Sequence, residues 1–187
     1  WYWWQGPPRQ AISKALKFIL CHNPVMDMDQ SSRHTLRLRS RDYASEGMYF
    51  VTICAYERMK LFGRIVKDKA FLSPLGRIID KYLLSMQTHY EGLSVDEHVV
   101  MPNHIHVIIK IGRTRGSAPT LGTIIKRLKS FVIHEYAKGI NDYGWEPYKD
   151  KIWQRNYYEH IVRDVNDLER IRLYIRNNPA NWSKDTL

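Results

Sequence analysis

Residues 94–111 read SVDEHVVMPNHIHVIIKI, two stretches rich in Val and Ile broken only by Pro102 and Asn103. This feature restricts the fold more than any other in the chain. Pro and Asn suit the two central positions of a tight turn, so the stretches about 94–101 and 104–111 are expected to pair as an antiparallel hairpin. Side chains two apart on a strand share a face, so His104 and His106 project together while Ile105 and Val107 point the other way. Two imidazoles held side by side on rigid backbone are what a bidentate metal platform requires. The bare His-x-His pattern is weak, since eight histidines make such a spacing common by chance. Two histidines on a half-exposed strand also need no chemistry to explain them. His98 shares their parity but lies across the turn, and is left out of the candidate site.

Around the hairpin the apolar period switches between that of strands and that of helices. MYFVTICAYE, from Met48, is rich in β-branched and aromatic residues and reads as a first strand. After Pro74, Leu75, Ile78, Ile79, Tyr82, Leu83 and Met86 recur at three and four residues, an amphipathic helix with Pro in its first turn, ending near Gly92. A second helix from about Pro119 places Leu121, Ile124, Ile125, Leu128, Val132 and Tyr136 on one face, with Lys126, Arg127 and Lys129 largely off it. IWQRNYYEHIV, residues 152–162, reads as a fourth strand. A third helix runs from about Val165 to Asn177-Asn178-Pro179, where Pro disfavours helical geometry in the residue before it. Strand, helix, strand, strand, helix, strand, helix is the order of an α+β, ferredoxin-like split βαβ sandwich. It implies an antiparallel sheet with helices on one face and one added C-terminal helix.

A chain of 187 residues with 44% hydrophobic composition can bury one core, so residues 31–187 are expected to form a single domain. Residues 1–30 are expected to stand outside it as an N-terminal extension. They begin WYWWQGPP, and their longest apolar run, Phe18 to Cys21, is too short for a signal peptide or a membrane span. Residues 1–25 read as translation upstream of a start at Met26 or Met28. Arg33, Arg37, Arg39 and Arg41 then make a basic arm without apolar periodicity. Lys and Arg outnumber Asp and Glu by 29 to 19, a formal net charge of +10 that favours a polyanion, with nucleic acid the first expectation. Only two cysteines are present, which fits a reducing cytoplasm and argues against a disulfide framework.

A metal ion needs more than two nitrogens, and the last helix offers an oxygen. Tyr174 and Asn178 in RLYIRNNP are four apart and lie on one helical face. Val165, Leu168, Ile171 and Ile175 would be the buried stripe, with Tyr174 on its flank. The plain alternative makes Tyr174 a boundary aromatic and Asn178 a helix stop before Pro.

His104-Ile105-His106, then WQRNYYEHIVR, then Tyr174-Ile175-Arg176-Asn177-Asn178-Pro179, in this order, resemble the single-tyrosine HUH transposases, nearest the REP-associated tyrosine transposases. The similarity spans about residues 33–182. It implies a metal-dependent enzyme that cuts and rejoins single-stranded DNA beside a hairpin through a 5′-phosphotyrosine. By position the resemblance makes Tyr174 the nucleophile and His104, His106 and Asn178 the ligands of a divalent ion, Mg²⁺ or Mn²⁺, with Mn²⁺ favoured in vitro by the nitrogen-rich set. Tyr157 and Tyr158 match no nucleophile position of the family. Arg37, Arg39, Arg41, Lys126, Lys129, Arg155 and Arg163 are the candidate contacts to the DNA backbone, and Tyr158, Tyr157 or Trp153 the candidates for stacking on unpaired bases. Relatives act as monomers or as homodimers. Asn178 stands where the insertion-sequence branch carries Gln, and SEGMYFVTICAYERMKLFG differs from the glycine-rich start of the best-known REP-associated members. From a different class, the same fold and charge would suit an RRM-like module that binds nucleic acid without cutting it.

Overall fold

Strand β1 (Gly47–Cys54) is buried along most of its length, so both of its faces must be covered. Its two faces organise the molecule, whose computed structural model describes residues 46–112, 119–148 and 151–184. A hairpin follows, β2 (Gly63–Val66) and β3 (Lys69–Leu72), and then helix α1 (Pro74–His89). β4 (Leu93–Val100) and β5 (His104–Ile111) come next, followed by α2 (Leu121–Tyr143), β6 (Tyr158–Ile161) and α3 (Val165–Asn177). The main sheet runs β4-β5-β1-β6 and every pairing in it is antiparallel. Apart from the extra β2–β3 hairpin, this is the ferredoxin-like order expected from the sequence. No helix among the described residues is long and apolar enough to cross a membrane.

On one face, Tyr49, Val51 and Ile53 of β1 and Ile105, Val107 and Ile109 of β5 join the main core with the stripes of α1 and α2. Leu75, Ile79, Tyr82, Leu83 and Met86 of α1, and Leu121, Ile124, Ile125, Leu128 and Val132 of α2, are all buried, so the helical periodicity is real. α1 starts where Ser73 Oγ accepts from Gly76 N at 3.0 Å, with Pro74 in the first turn. A Cβ at Gly76 would lie 2.0 Å from the Phe62 carbonyl oxygen, so only glycine lets α1 approach that strand end. The other face carries Phe50, Thr52, His104, His106 and Ile108. It is covered by α3, whose Ile171 and Ile175 are buried and whose Tyr174 lies edge-on to Phe50 at 6.0 Å between ring centres. The two sandwich helices therefore share one side, and the added helix takes the other.

Several local expectations are corrected. β2 and β3 were missed because they are four residues each and turn on Lys67 and Asp68, both at positive φ (47° and 61°), without the Asn or Gly that usually signals such a turn. The stretch 152–162 is not one strand: Trp153 makes a single bridge to Ala55, and regular pairing begins only at Tyr158. Between them Lys129 Nζ donates to the carbonyls of Gln154, Arg155 and Asn156 at 2.8, 3.4 and 3.2 Å, which bends the chain away from the sheet. Helix α2 begins at Leu121 with Thr120 as its cap, two residues after Pro119. Val165 is 72% exposed, because it opens α3 and Asp167 takes the buried place in the first turn.

Candidate active site

The β4–β5 turn forms as expected, with Met101 N donating to His104 O at 2.8 Å. β5 then starts at His104 and presents both imidazoles to the face under α3, fully buried, with ring centres 4.5 Å apart. The neighbours of each ring bear on which nitrogen can serve as a ligand. His104 Nδ1 lies 2.7 Å from Asn103 Oδ1, an acceptor, so Nδ1 carries the hydrogen and Nε2 the lone pair. His106 Nδ1 lies 2.8 Å from Thr52 Oγ1, its partner across the β1–β5 ladder. With that nitrogen donating, its Nε2 lone pair faces the Tyr174 hydroxyl at 3.3 Å. Support of this kind on the far nitrogen orients metal-binding histidines in general.

α3 delivers the other two groups. Its N-terminus is capped by Asp164, whose carboxylate accepts from Asp167 N at 2.9 Å. The four-residue spacing brings Tyr174 and Asn178 to the histidine pair together. Tyr174 is half-buried, with its ring centre 5.1 Å from that of His106. Asn178 is buried, and its Oδ1 takes no hydrogen bond of ordinary geometry. A buried carbonyl oxygen left this way beside two imidazole lone pairs is what a third ligand looks like before it is used. Among the described residues no group of three His, Cys, Asp or Glu forms, so the donor set is two imidazoles and one amide. These residues fit a divalent cation with open positions for phosphate oxygens.

Burial sets the electrostatics. Loss of solvent pushes the His104 pKa down to about 3, against the pull of the Asn178 side chain and with help from the nearby Arg58 cation. Burial, and then the neighbouring His104, hold His106 well below its ordinary value. Both rings are therefore neutral near pH 7, the form that coordinates metal.

The remaining candidates divide. Tyr158 pairs with Thr52 in the ladder, so it shares the face of the histidines and is half-exposed. Lys126, Arg155 and Arg163 are exposed. Lys129 instead clamps the turn at 154–156, and burial lowers its pKa to about 8. Tyr157 and Trp153 pack against the main core. Arg37, Arg39 and Arg41 lie outside the described residues. His98 pairs with Val107 and so faces away from the site, toward Asp80, whose Oδ1 is 2.8 Å from its Nε2. The two-residue turn sets this: with Val100 opposite Ile105 and Val99 opposite His106, the even-numbered residues at this end of β4 face away from the even-numbered residues of β5.

Sequence reasoning missed Thr52, Asn103 and the His160–Asp167 couple, in which the buried carboxylate lies 2.8 Å from the imidazole Nε2. Burial would raise the Asp167 pKa, but His160, the Arg163 N–H and Arg170 outweigh it and hold the carboxyl below its ordinary value. His160 pairs with Phe50 on the face of the site, so this couple ties β6 to the first turn of the helix that carries Tyr174. Asn103 had a signal in its place beside His104, whereas Thr52 becomes visible only once the strand register is known.

Residues 44–178 match the family profile described as Transposase IS200 like. An uncharacterised protein of Haemophilus influenzae is 34% identical, over 83% of this chain and 92% of its own. A second protein of that organism, assigned by its name to the REP-associated tyrosine transposases, is 24% identical over 75% of this chain and 74% of its own. A solved REP-associated tyrosine transposase bound to a REP hairpin shares the fold. Its TM-score is 0.54 at 17% identity, covering 83% of this chain and 74% of that one. The chain belongs to the IS200-like transposase family, and REP-associated tyrosine transposases are among the proteins it resembles in sequence and in fold.

Proposed function

We propose that this transposase is a metal-dependent endonuclease and strand transferase for single-stranded DNA beside a hairpin, with Tyr174 as its nucleophile. One observation carries the reading. A phenol, two neutral imidazoles and a buried amide oxygen from two distant parts of one chain meet at one place. His104 Nε2, His106 Nε2 and Asn178 Oδ1 would hold a divalent ion, Mg²⁺ or Mn²⁺. When bound, the ion supplies Lewis-acid polarisation of the cut phosphate.

The chain's own residues do the rest. Packing against Phe50 and His106 holds the Tyr174 ring in one orientation. As Tyr174 Oη bonds to phosphorus, the bond from phosphorus to the 3′ oxygen breaks. The phenolic proton is released, and the departing 3′ oxygen takes up a proton to become a hydroxyl. A DNA 3′-hydroxyl attacking the 5′-phosphotyrosine reverses the step, so rejoining needs no nucleotide triphosphate. Arg155, Arg163 and Lys126 are proposed to meet the DNA backbone, with Tyr158 stacking on an unpaired base. The arm carrying Arg37, Arg39 and Arg41 adds charge, and the cytoplasm is the proposed compartment. An RRM-like platform is disfavoured because α3 already covers the sheet face it would need.

With Mn²⁺ and a hairpin oligonucleotide, the wild-type chain should give a covalent protein–DNA band that survives denaturation, and Tyr174→Phe should give none. No band with any divalent metal, while binding persists, would defeat the catalytic reading; loss in Tyr158→Phe but not Tyr174→Phe would move the nucleophile.

A further inference from the structure

Immediately after Asn178 the chain forms a 3-10 helix (Pro179–Lys184) that places Trp182 beside the site. The indole stacks toward His104 at 27° between ring planes, 6.2 Å between centres, and remains half-exposed. Lys60 Nζ stands over the same indole, 5.9 Å from its centre. Lys60 belongs to the segment after β1. That segment is fixed to the turn before the histidines: Ala55 N donates to Asn103 O at 2.8 Å, and Phe62 N to Pro102 O at 2.9 Å. Within it Glu57 and Arg58 both adopt left-handed backbone (φ 49° and 56°), a costly conformation for two successive non-glycine residues. Arg58 is exposed, and its charge is felt at His104. A flat aromatic face and two cations are thus built onto the rim of the histidine pair, on a frame shared with His104.

We propose that Trp182, Lys60 and Arg58 form a nucleotide subsite of the active centre, in which Trp182 stacks on the base adjoining the cut phosphate and the two cations hold its phosphates. The subsite rests on the reading of this centre as one that cleaves DNA. An indole stacks on any base, and the cations balance the charge of the backbone, so single-stranded DNA is the ligand that fits both. The grip at this point would be tolerant of sequence.

The test measures binding in the full chain carrying Tyr174→Phe, so the DNA stays intact and the result does not depend on which tyrosine attacks. The probes are a labelled hairpin oligonucleotide with thymine flanks of about ten nucleotides, and the same hairpin with abasic flanks. The base-bearing probe should bind roughly ten-fold more tightly. Trp182→Phe should keep that preference and Trp182→Ala should lose most of it, Tyr158 stacking elsewhere. Lys60→Ala should keep it while lowering the salt slope of binding by about one. With Trp182 intact, 5-iodouracil in the flank should crosslink to the peptide carrying Trp182. A preference that is absent from the parent chain, or unchanged in Trp182→Ala, would overturn the proposal, as would crosslinks found only elsewhere.

Discussion

At the scale of single residues, the site depends on two histidines that burial keeps uncharged. Its consequence for stability has a definite sign. Both folded pKa values lie below the ordinary imidazole value of 6.5, His104 at about 3. Above the ordinary value neither state binds the proton, and the fold is unaffected. As pH falls below it, the unfolded chain takes up protons that the folded chain refuses, so stability declines toward the folded value. At about pH 5 His104 should cost roughly 2 kcal/mol, and His106 acts in the same direction. Urea unfolding should therefore show a lower midpoint at about pH 5 than at about pH 7, and His104→Gln should flatten part of that slope. A wild-type midpoint that does not move would mean that the rings are solvated. The positions of His104 and His106 on one face were legible in the sequence, because strand parity depends on nothing else. Their supports, Thr52 and Asn103, required knowledge of which backbone lies opposite.

At the scale of elements, α3 is the piece on which the proposed chemistry turns, and apolar contact holds it only modestly. Besides Ile171 and Ile175 it relies on ion pairs to β4: Arg172 to Asp96 through Nε and Nη2 at 2.7 and 2.5 Å, and Arg176 Nε to Glu97 at 2.9 Å. Adjacent residues of a regular strand point to opposite faces. Asp96 and Glu97 can both reach α3 because they sit in the bulge between Val95 and His98. Arg172→Ala should thus loosen the helix that carries Tyr174, lowering the rate of covalent-complex formation about ten-fold while hairpin affinity changes less than two-fold. Single-turnover rates and titrations read separately check this; equal losses in both would assign Arg172 to DNA contact. Periodicity revealed α1 and α2 well, since their buried stripes are long. It overstated β6, because the ammonium of Lys129 and the burial of Trp153 reshape that stretch through contacts that no local pattern encodes.

At the scale of the whole molecule, His104, His106, Tyr174 and Asn178 come together within a single chain. We propose that each copy works alone. Mixing Tyr174→Phe with His106→Ala chains should then yield no covalent band, whereas a restored band would mean that copies exchange α3. We also propose that residues 1–30 stand outside this fold, which agrees with a family match that begins at residue 44. Removing residues 1–25 should leave the thermal midpoint unchanged, and a large drop would place them in the core. The sequence by itself determined the order of the four main-sheet strands and the three helices, the turn at Pro102-Asn103, and that His104 and His106 share a face, because these follow from the geometry of a single strand, turn or helix. Only the tertiary structure decided that α3 lies over the second face of the sheet, with the phenol of Tyr174 3.3 Å from His106. The physical reason is that such a meeting depends on a bulge and on ion pairs between segments more than seventy residues apart, and chain periodicity carries no term for either.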